Sequence, residues 1–481
     1  MSLQMPSQPP KLPLELWEHI FLQLVPVEII GLRAVNRSFR DTIDRSPEAQ
    51  YLIDLYAAGL EVEHRDPSLS LAERRKQLDR YRTHWDSLQW VEHSSIPVPR
   101  VPGGTFDTGG GVVCYVSGYS SGPPIIDYYF VQLPSILRGI PLKQWTLHGL
   151  PNHQSPGLFP EEDLFVICPP TDDRRSFKVH LLRMSDGQPH PHAFIPVING
   201  PDYEHEGSFQ EILRVKVTSS RLAVMALVFY EASNSNVIPV HFHVWDWKTG
   251  VKHVEIWRSS IDVQFIDEYR LFGISRASGA DQPRLVTLLD TSAPVENPHE
   301  PREIVFELDD GVKPVSLLPG TYSRGAKLGS SFQTNRRRHL LGIECSSVTQ
   351  KPPWFVINYE SICAIASANK SSSHIPWDSW KQKTTQGRSS PLYVRPEGPR
   401  VFVEGGPGRA SWIESFDFTP GACRSIEQPD PSSEAAPAHA IRRVTMPSVD
   451  RIWGGGECFV SEDNLLVSKG NPQNVLEMWT F

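Results

Sequence analysis

The sequence is poor in the features that mark secreted, membrane and metal-binding proteins. It has six cysteines in 481 residues, and no two of them form a Cys-x-x-Cys pair. A disulfide framework or a zinc site needs clustered ligands, so we expect reduced thiols in a cytoplasmic or nuclear protein. The first ten residues hold no apolar run of signal-peptide length, and the best apolar run, 222–230, is only strand-sized. A soluble protein without a membrane partner is therefore expected.

Strong basic character is also absent. The formal net charge is -8 and the sequence pI is about 6.1, so the composition favours neither nucleic acid nor an anionic membrane as a partner. The densest basic cluster is the arginine triplet 336–338. We interpret this triplet as a solvated loop rather than as a phosphate-binding site.

Before about residue 90, apolar residues recur at helical spacing. Leu12, Leu16, Ile20 and Leu24 lie four residues apart, which places them on one stripe of a first helix that ends at Pro26. Two more short helices follow within the first fifty residues. The pattern predicts a small three-helix module.

A longer helix is predicted to begin after Ser70. Ser70 and Glu73 have the spacing of a capping box, in which each side chain satisfies the other residue's backbone N–H. Tyr81 and Trp85 lie on the apolar face of this helix. We expect both, together with Trp90, to pack on the domain that follows.

After about residue 95 the apolar pattern changes to alternation and short runs, which are typical of strands. The strands form about seven loosely repeated groups. These groups are 112–116 with 128–133; 164–168 with 179–183; 213–217, 222–230 and 242–247; 261–265, 270–274 and 285–289; 340–345 with 355–359; 401–404 with 412–418; and 458–461, 465–468 and 475–481. Such repeats predict a β-propeller of about seven blades, and the alternative is a sandwich of many short strands.

The predicted fold class is therefore multidomain α+β. Its parts are a disordered N-terminus at 1–10, the helical module at 11–50, a helical linker at 51–92 and a mainly β domain at 93–481. Within the β domain, 366–390 and 428–440 are rich in small and polar residues and are predicted to be flexible loops. The dipeptide Trp245-Asp246, before a Lys-Thr-Gly turn, resembles the Trp-Asp dipeptide of WD-repeat propellers.

A specific pattern runs through the helical module. Leu-Pro, Glu-Leu, Ile-Phe and Leu are followed by a break, a Leu-Arg-x-Val segment and an Arg-x-Phe-Arg close. The residues that carry it are Leu12, Pro13, Glu15, Leu16, Ile20, Phe21, Leu24, Pro26, Leu32, Arg33, Val35, Arg37, Phe39 and Arg40. This pattern resembles the F-box, with two mild departures: Asn36 where cysteine is common, and Phe39 where tryptophan is common. The arrangement as a whole resembles fungal F-box proteins that carry a weakly repeated β domain.

The resemblance implies a function. F-box proteins bind a Skp-type adaptor, and through it a cullin, while a second domain holds a protein substrate for ubiquitination. Three short helices also present more apolar surface than so small a unit can bury, which indicates a partner site. The predicted adaptor-binding residues are Leu12, Pro13, Leu16, Ile20, Leu24, Pro26, Ile29, Leu32 and Val35. The alternative is that these helices cap the β domain as an ordinary N-terminal bundle.

Patterns that could indicate catalysis or metal binding lack the context that they need. The segment around Ser120 fits Gly-x-Ser-x-Gly, but two prolines follow at once and prevent the helix that this nucleophile turn requires. His241 and His243 share one face of a strand, and His190 and His192 flank a proline, yet no third ligand has compatible spacing. We predict no catalytic residue, no metal and no cofactor.

The sequence thus predicts a non-catalytic substrate receptor of a Skp–cullin–F-box ubiquitin ligase, with an unknown protein as its substrate. Two alternatives remain open. The first is an F-box scaffold that acts outside a ligase, and the second is a hydrolase built on a propeller with Ser120 as the nucleophile.

Overall fold

The computed structural model describes most of the chain in separate stretches. The described residues are 12–62, 69–87, 89–97, 105–116, 125–135, 138–153, 156–173, 175–203, 208–229, 240–258, 260–276, 284–292, 302–309, 312–318, 332–347, 354–369, 373–387, 393–397, 400–405, 412–417, 440–445, 458–460, 463–469 and 475–480. The segment 1–10, the proposed nucleophile turn around Ser120, and 428–439 of the second predicted loop lie outside these residues.

The N-terminal part is helical. Its elements are α1 (Leu14–Phe21), α2 (Pro26–Leu32), α3 (Arg37–Arg45), α4 (Pro47–Ala57), the short strand β1 (Leu60–Glu61) and α5 (Leu71–Ser87). The first helix ends at Phe21 rather than at Pro26, Pro26 begins α2, and Pro47 likewise begins a helix. It occupies the first turn of α4, where its missing N–H costs nothing, and the Ser46 hydroxyl accepts from the Ala49 N–H at 3.3 Å.

The capping box predicted for α5 is confirmed. A Glu73 carboxylate oxygen accepts from the Ser70 N–H at 2.8 Å, and the Ser70 hydroxyl oxygen accepts from the Glu73 N–H at 3.3 Å. The two donors would otherwise have no partner within the helix, so this sequence fixes where α5 begins.

From Glu92 onward, strands dominate. They are β2 (Glu92–Pro97), β3 (Thr105–Gly109), β4 (Val112–Val116), β5 (Ile125–Gln132), β6 (Lys143–Pro151), β7 (Gly157–Phe159), β8 (Leu164–Ile167), β9 (Lys178–Arg183), β10 (Val197–Asn199), β11 (Ser208–Val217), β12 (Arg221–Phe229), β13 (Val240–Asp246), β14 (Lys252–Arg258), β15 (Ser260–Phe265), β16 (Arg270–Arg276), β17 (Arg284–Asp290), β18 (Arg302–Phe306), β19 (Val312–Leu318), β20 (Gln333–Thr334), β21 (Leu340–Ser347), β22 (Trp354–Asn358), β23 (His374–Ile375), β24 (Thr385–Gly387), β25 (Tyr393–Glu397), β26 (Arg400–Gly405), β27 (Trp412–Asp417), β28 (Ala440–Thr445), β29 (Cys458–Val460), β30 (Asn464–Lys469) and β31 (Val475–Thr480). The helix α6 (Tyr359–Ala368) lies between β22 and β23.

Within the described residues, these strands form seven sheets of four or five strands. Six sheets follow the chain: β3 to β6, β7 to β10, β11 to β14, β15 to β18 with β23 added at the edge, β19 with β21, β22 and β24, and β25 to β28. All of their strand pairs are antiparallel except that of β18 with β23. The seventh sheet joins β29, β30 and β31 to β2. The first strand of the β domain thus completes the sheet made by the last three.

The first strands of successive sheets also contact one another. β3 contacts β7, β7 contacts β11, β11 contacts β15, β15 contacts β19, and β19 contacts β25. Radially repeated four-stranded sheets that succeed one another in this way define a β-propeller. The predicted fold class, a helical module followed by a mainly β domain of about seven blades, is confirmed.

Each predicted group of strands falls within one sheet; for example, 213–217, 222–230 and 242–247 correspond to β11, β12 and β13. The strands that the sequence does not reveal lie at both edges of the sheets: first strands such as β3, β7, β19 and β25, and last strands such as β6 and β14, as well as β2. In β2 only Ile96 is buried, so the strand has no apolar alternation that could be read from the sequence.

The flexible loop predicted at 366–390 is wrong for its described parts, 366–369 and 373–387. They hold the end of α6, the strands β23 and β24, and two short 3-10 turns. Ile375 and Trp380 are fully buried, and the Trp380 indole N–H donates to the Glu307 carbonyl at 3.0 Å. A few well-placed large side chains thus order a segment whose average composition is polar, and β23 extends the fourth sheet as a parallel fifth strand.

The helical part contacts the propeller at the connection between β19 and β21. β1 pairs antiparallel with β20, and the Tyr81 ring of α5 packs edge-on against Phe332, with 5.4 Å between centroids. The predicted packing of Tyr81 on the β domain is confirmed. The arginine triplet, expected as a solvated loop, lies in this connection, and the side chain of Arg338 is only 16% exposed.

The junction between the seventh and first sheets closes the propeller. Ile96, Val113, Leu133, Leu466 and Met478 form one buried cluster across it. The cluster unites side chains from both ends of the β domain, so neither end can be removed without exposing apolar surface of the other.

A buried ion pair adds to this junction. Arg138, in the connection between β5 and β6, donates from Nε to an Asp463 carboxylate oxygen at 2.6 Å, and the two side chains are only 8% and 1% exposed. Asn464 donates from its side-chain amide to the Pro134 carbonyl at 2.9 Å. Removing one member of a buried pair leaves the other charge without its partner, which costs more than the pair contributes.

We therefore expect Asp463→Ala to lower the free energy of unfolding by about 3–5 kcal/mol. Urea-induced unfolding followed by tryptophan fluorescence measures it. The matched control is Asp378→Ala, because the Lys381–Asp378 pair is 47% and 81% exposed and its loss costs at most about 1 kcal/mol. Equal, small effects of the two changes would contradict the role given to the buried pair.

Candidate functional site: an exposed apolar surface on the helical module

Aromatic side chains build the centre of the helical module. The rings of Trp17 and Phe21 from α1 meet Phe39 from α3, with centroids 4.8 Å apart for Trp17 and Phe39 and 5.3 Å apart for Phe21 and Phe39. Ile29 and Ile43 are fully buried in the same cluster. The inward face of α1 is therefore carried by Trp17 and Phe21.

Two residues of the four-residue stripe read from the sequence, Leu16 and Ile20, lie on another face of α1, whereas Leu12 precedes the helix and Leu24 follows it. Leu12 is 44% exposed, Leu16 is 49% exposed and Ile20 is 39% exposed, and Pro13 is exposed as well. Leu16 and Ile20 lie one turn apart, so their side chains share one face of the helix. The helix has apolar residues on two sides, and the module's own core covers only one of them.

Exposed apolar side chains are concentrated in this module. Of the fourteen exposed large hydrophobic side chains in the described part of the chain, six lie between Leu12 and Val35. Isolated exposed apolar residues are ordinary on a protein surface, whereas a concentration of them marks an interaction site.

The other predicted adaptor-binding residues divide into two groups. Leu24, Pro26 and Leu32 are half-buried, and the two leucines pack against the module's core. Ile29 is fully buried, so it is removed from the predicted surface. The cause is α4, which packs on α2 and covers this residue; α4 was not expected as a separate helix, and its effect on Ile29 could not be foreseen.

Sequence reasoning also missed two surface residues. Val25 and Val27 are 50% and 51% exposed and flank Pro26 at the start of α2. They do not follow the four-residue spacing of the first helix, so the periodicity gave no signal for them. The only available signal was the presence of two valines beside a proline that begins a helix. We define the exposed apolar surface as Leu12, Pro13, Leu16, Ile20, Val25, Val27 and Val35.

Polar side chains fix the helices that carry this surface. The Asn36 side-chain oxygen accepts from the Phe39 N–H at 2.7 Å and caps α3. Arg33 forms an ion pair with Asp44 at 2.8 Å, and Arg40 Nε donates to the Arg33 carbonyl at 3.1 Å. Asn36, a departure from the usual F-box pattern, thus has a clear local role.

Of the histidines considered as metal ligands, His190, His241 and His243 are buried in the propeller, whereas His192 is exposed. His243 is fully buried, its Nε2 is 3.0 Å from the Tyr203 hydroxyl, and its Nδ1 is 3.8 Å from a Glu255 carboxylate oxygen. His190 Nε2 is 2.8 Å from a backbone carbonyl oxygen. Across the described residues, no three His, Cys, Asp or Glu side chains are grouped so that they could hold a metal ion.

Cys114, Cys168, Cys345 and Cys363 are free thiols. Burial raises the pKa of Cys345 and of Cys363 to about 12, with the neighbouring Glu344 carboxylate adding to the effect at Cys345. Burial also raises the pKa of Cys168. Because the thiolate is the reactive form, these thiols are poor nucleophiles near neutral pH.

None of the described helices is both long enough and apolar enough to span a membrane.

Comparison with known protein families identifies the domain type of the helical module. The sequence pattern of the F-box domain matches residues 10–49. The chain therefore contains an F-box domain, and the exposed apolar surface lies within it. F-box domains bind Skp-type adaptors in Skp–cullin–F-box complexes, and an F-box domain supports a general role in substrate recognition for ubiquitin ligases of this type.

No curated protein matches the chain. Several solved structures are similar to the chain at very low identity. The β-propeller domain of the Trilobed protease from Pyrococcus furiosus is 6% identical, with 79% of this chain and 94% of that chain covered and a TM-score of 0.43. The acylaminoacyl peptidase of Pyrococcus horikoshii is 7% identical, with 78% and 51% covered and a TM-score of 0.42.

A third similar structure, the AfRom2 CNH domain, is 11% identical, with 81% of this chain and 99% of that one covered and a TM-score of 0.35. The chain spans about half the length of the P. horikoshii peptidase. These similarities carry no argument about activity, and the propeller assignment stands on the strand pairing described above.

The distinction between core and surface in the module can be tested directly. We expect Ile29→Ala to lower the free energy of unfolding of the module by about 2–5 kcal/mol, because it leaves a cavity in a closely packed core. Val35→Ala, at a residue that is 63% exposed, should change it by about 0.5 kcal/mol or less. Hydrogen exchange of the α1 to α4 amides measures both, and a similar effect of the two changes would show that Ile29 is not a core residue.

Proposed function

We propose that this chain is the substrate receptor of a Skp–cullin–F-box ubiquitin ligase and that it is itself non-catalytic. In this proposal the exposed apolar surface binds the Skp-type adaptor and links the chain to the cullin. The propeller holds a protein substrate whose identity is open, and the site of action is the cytoplasm or the nucleus.

One observation carries the proposal: Leu16 and Ile20 stay about half exposed inside a region whose sequence matches the F-box. Because Leu16 and Ile20 are already partly covered, burial of their remaining exposed surface by a partner gains roughly half of the 1.5–3 kcal/mol for a fully exposed side chain, about 1 kcal/mol each. If the helices were merely a cap on the propeller, these side chains would be covered by the same chain. They are not, which favours an intermolecular role over the N-terminal bundle.

The proposed mechanism is proximity. A chain that binds ligase and target at once raises the target's local concentration near the ubiquitin-loaded enzyme, so the chain itself needs no reactive group. The buried, protonated thiols described above are consistent with such a role.

The adaptor-binding part is tested by the double change Leu16→Asp with Ile20→Asp. Two carboxylates in an apolar interface would lose hydration without gaining a partner, which costs several kilocalories per mole. We expect co-purification with a recombinant Skp-type adaptor to be lost while the circular dichroism of the chain is unchanged.

The matched control is Ile195→Asp with Val251→Asp, since these side chains are 39% and 52% exposed on the propeller. It adds the same charge and should leave adaptor binding intact. Retained adaptor binding by the Leu16/Ile20 variant, or equal loss in both variants, would refute the proposed surface. Adding the cullin tests the alternative of a scaffold outside a ligase, which predicts an adaptor complex that fails to recruit it.

A further inference from the structure

The helical part, which carries the F-box domain at residues 10–49, is attached to the propeller at two places. At its end, α5 runs through a short connection into β2, which belongs to the seventh sheet. Before α5, the strand β1 pairs with β20 in the fifth-sheet connection, where the Asn335 N–H also donates to the Gly59 carbonyl at 3.0 Å. A single attachment would permit a hinge, whereas two attachments at different sheets restrict rotation.

Arg338 links the helical part to the propeller at the second of these places, next to the β1–β20 pair. Its guanidinium lies over the ring of Tyr56 from α4, 4.4 Å from the centroid, and it donates to the Tyr56 hydroxyl. The same guanidinium contacts a Glu360 carboxylate oxygen of α6 at 3.3 Å. One side chain of the propeller thus contacts both the last helix of the F-box region and a helix of the fifth sheet.

The geometry of this contact depends on a planar cation. A guanidinium can stack on an aromatic ring and donate in its own plane at the same time, which allows Arg338 to meet Tyr56 and Glu360 together. With 16% of its side chain exposed, Arg338 is partly withdrawn from water, so its interactions are screened less than those of a surface pair.

Apolar packing supports the same junction. Tyr81 and Phe332 meet edge-on, and Leu78, Tyr81 and Phe332 are almost fully buried. This packing holds α5 against the fifth sheet, while Arg338 holds α4. The two contacts act on different helices. Each contact therefore restrains a rotation of the helical part relative to the propeller that the other contact leaves free.

We propose that Arg338 is a positioning residue that fixes the orientation of the F-box domain relative to the propeller and so limits which lysines the ubiquitin-loaded enzyme can reach. This inference rests on the proposed function, because orientation matters for transfer only if the F-box domain is held by a ligase. Adaptor binding itself does not depend on Arg338, since the exposed apolar surface lies on other residues.

The orientation is measured first without any ligase. Donor and acceptor dyes are attached through unnatural amino acids at two exposed residues, Ser38 of α3 and Asp172 of the second sheet. We expect a narrow distribution of transfer efficiency for the wild-type chain and a broader, shifted distribution for Arg338→Gln. Tyr56→Phe, which keeps the ring and removes the hydroxyl, should shift the distribution in the same direction by a smaller amount.

The consequence for ubiquitin transfer is measured on the chain itself. The full chain is assembled with adaptor, cullin and the ubiquitin-loading enzymes, and its modified lysines are mapped by mass spectrometry. Arg338→Gln should spread ubiquitin over additional lysines while co-purification with the adaptor is unchanged. Arg337→Gln, a change at the exposed neighbouring arginine, is the matched control and should reproduce the wild-type pattern.

The outcomes separate the two proposals. If the wild-type chain fails to bind the adaptor, the proposed function fails and the role of Arg338 in ubiquitin transfer fails with it. If the adaptor binds but Arg338→Gln has wild-type dye transfer or a wild-type lysine pattern, the positioning role alone is overturned. If Arg338→Gln does not fold, the dye-transfer measurement on Tyr56→Phe tests the positioning role in its place.

Discussion

The short helices of the F-box domain enclose only a small core, and this limit determines which apolar side chains stay at the surface of the domain. Its helices have seven to eleven residues each, and their shared core is filled by Trp17, Phe21, Ile29, Phe39 and Ile43. Once these side chains are inside, helices of this length have no room for the stripe that begins at Leu12. The same packing that stabilises the domain therefore leaves Leu16 and Ile20 at the surface, where burial by a second protein gains free energy.

The propeller imposes a different constraint, which is that its two ends must meet. Pairing of β2 with β31 does this, and it places the end of the helical region at the seventh sheet. The pairing of β1 with β20 places the region before α5 at the fifth sheet. α5 has 17 residues, about 25 Å of helix, and connects these two positions. Closure of the propeller and attachment of the F-box domain are thus parts of one arrangement.

Strands with regular apolar alternation or apolar runs could be predicted from the sequence. Features that depend on packing against other elements of the fold could not. The inner strands alternate or run apolar because both of their faces are covered, so the groups around β11 to β13 and β15 to β17 could be recognised. The outer strand β2 and the segment 366–387 have few large apolar residues, and only the folded sheets show that Ile96 and Trp380 find buried positions. On the F-box domain, the stripe was predicted from spacing, whereas the fate of Ile29 and of Val25 depended on α4 and on the start of α2, which spacing does not reveal.

Attachment at two places also bears on how a receptor of the proposed kind would work. Proximity raises a local concentration only over the volume that the link between the two bound proteins allows, and that volume shrinks as the link stiffens. A mobile link would present many lysines briefly, and a fixed link would present few lysines for longer. The strand pair, the Tyr81–Phe332 contact and Arg338 all lie in the connection between β19 and β21, so one of the two attachments depends on this connection alone. Changes in the connection between β19 and β21 could therefore alter the direction in which a target is presented while leaving both the F-box surface and the other six blades as they are.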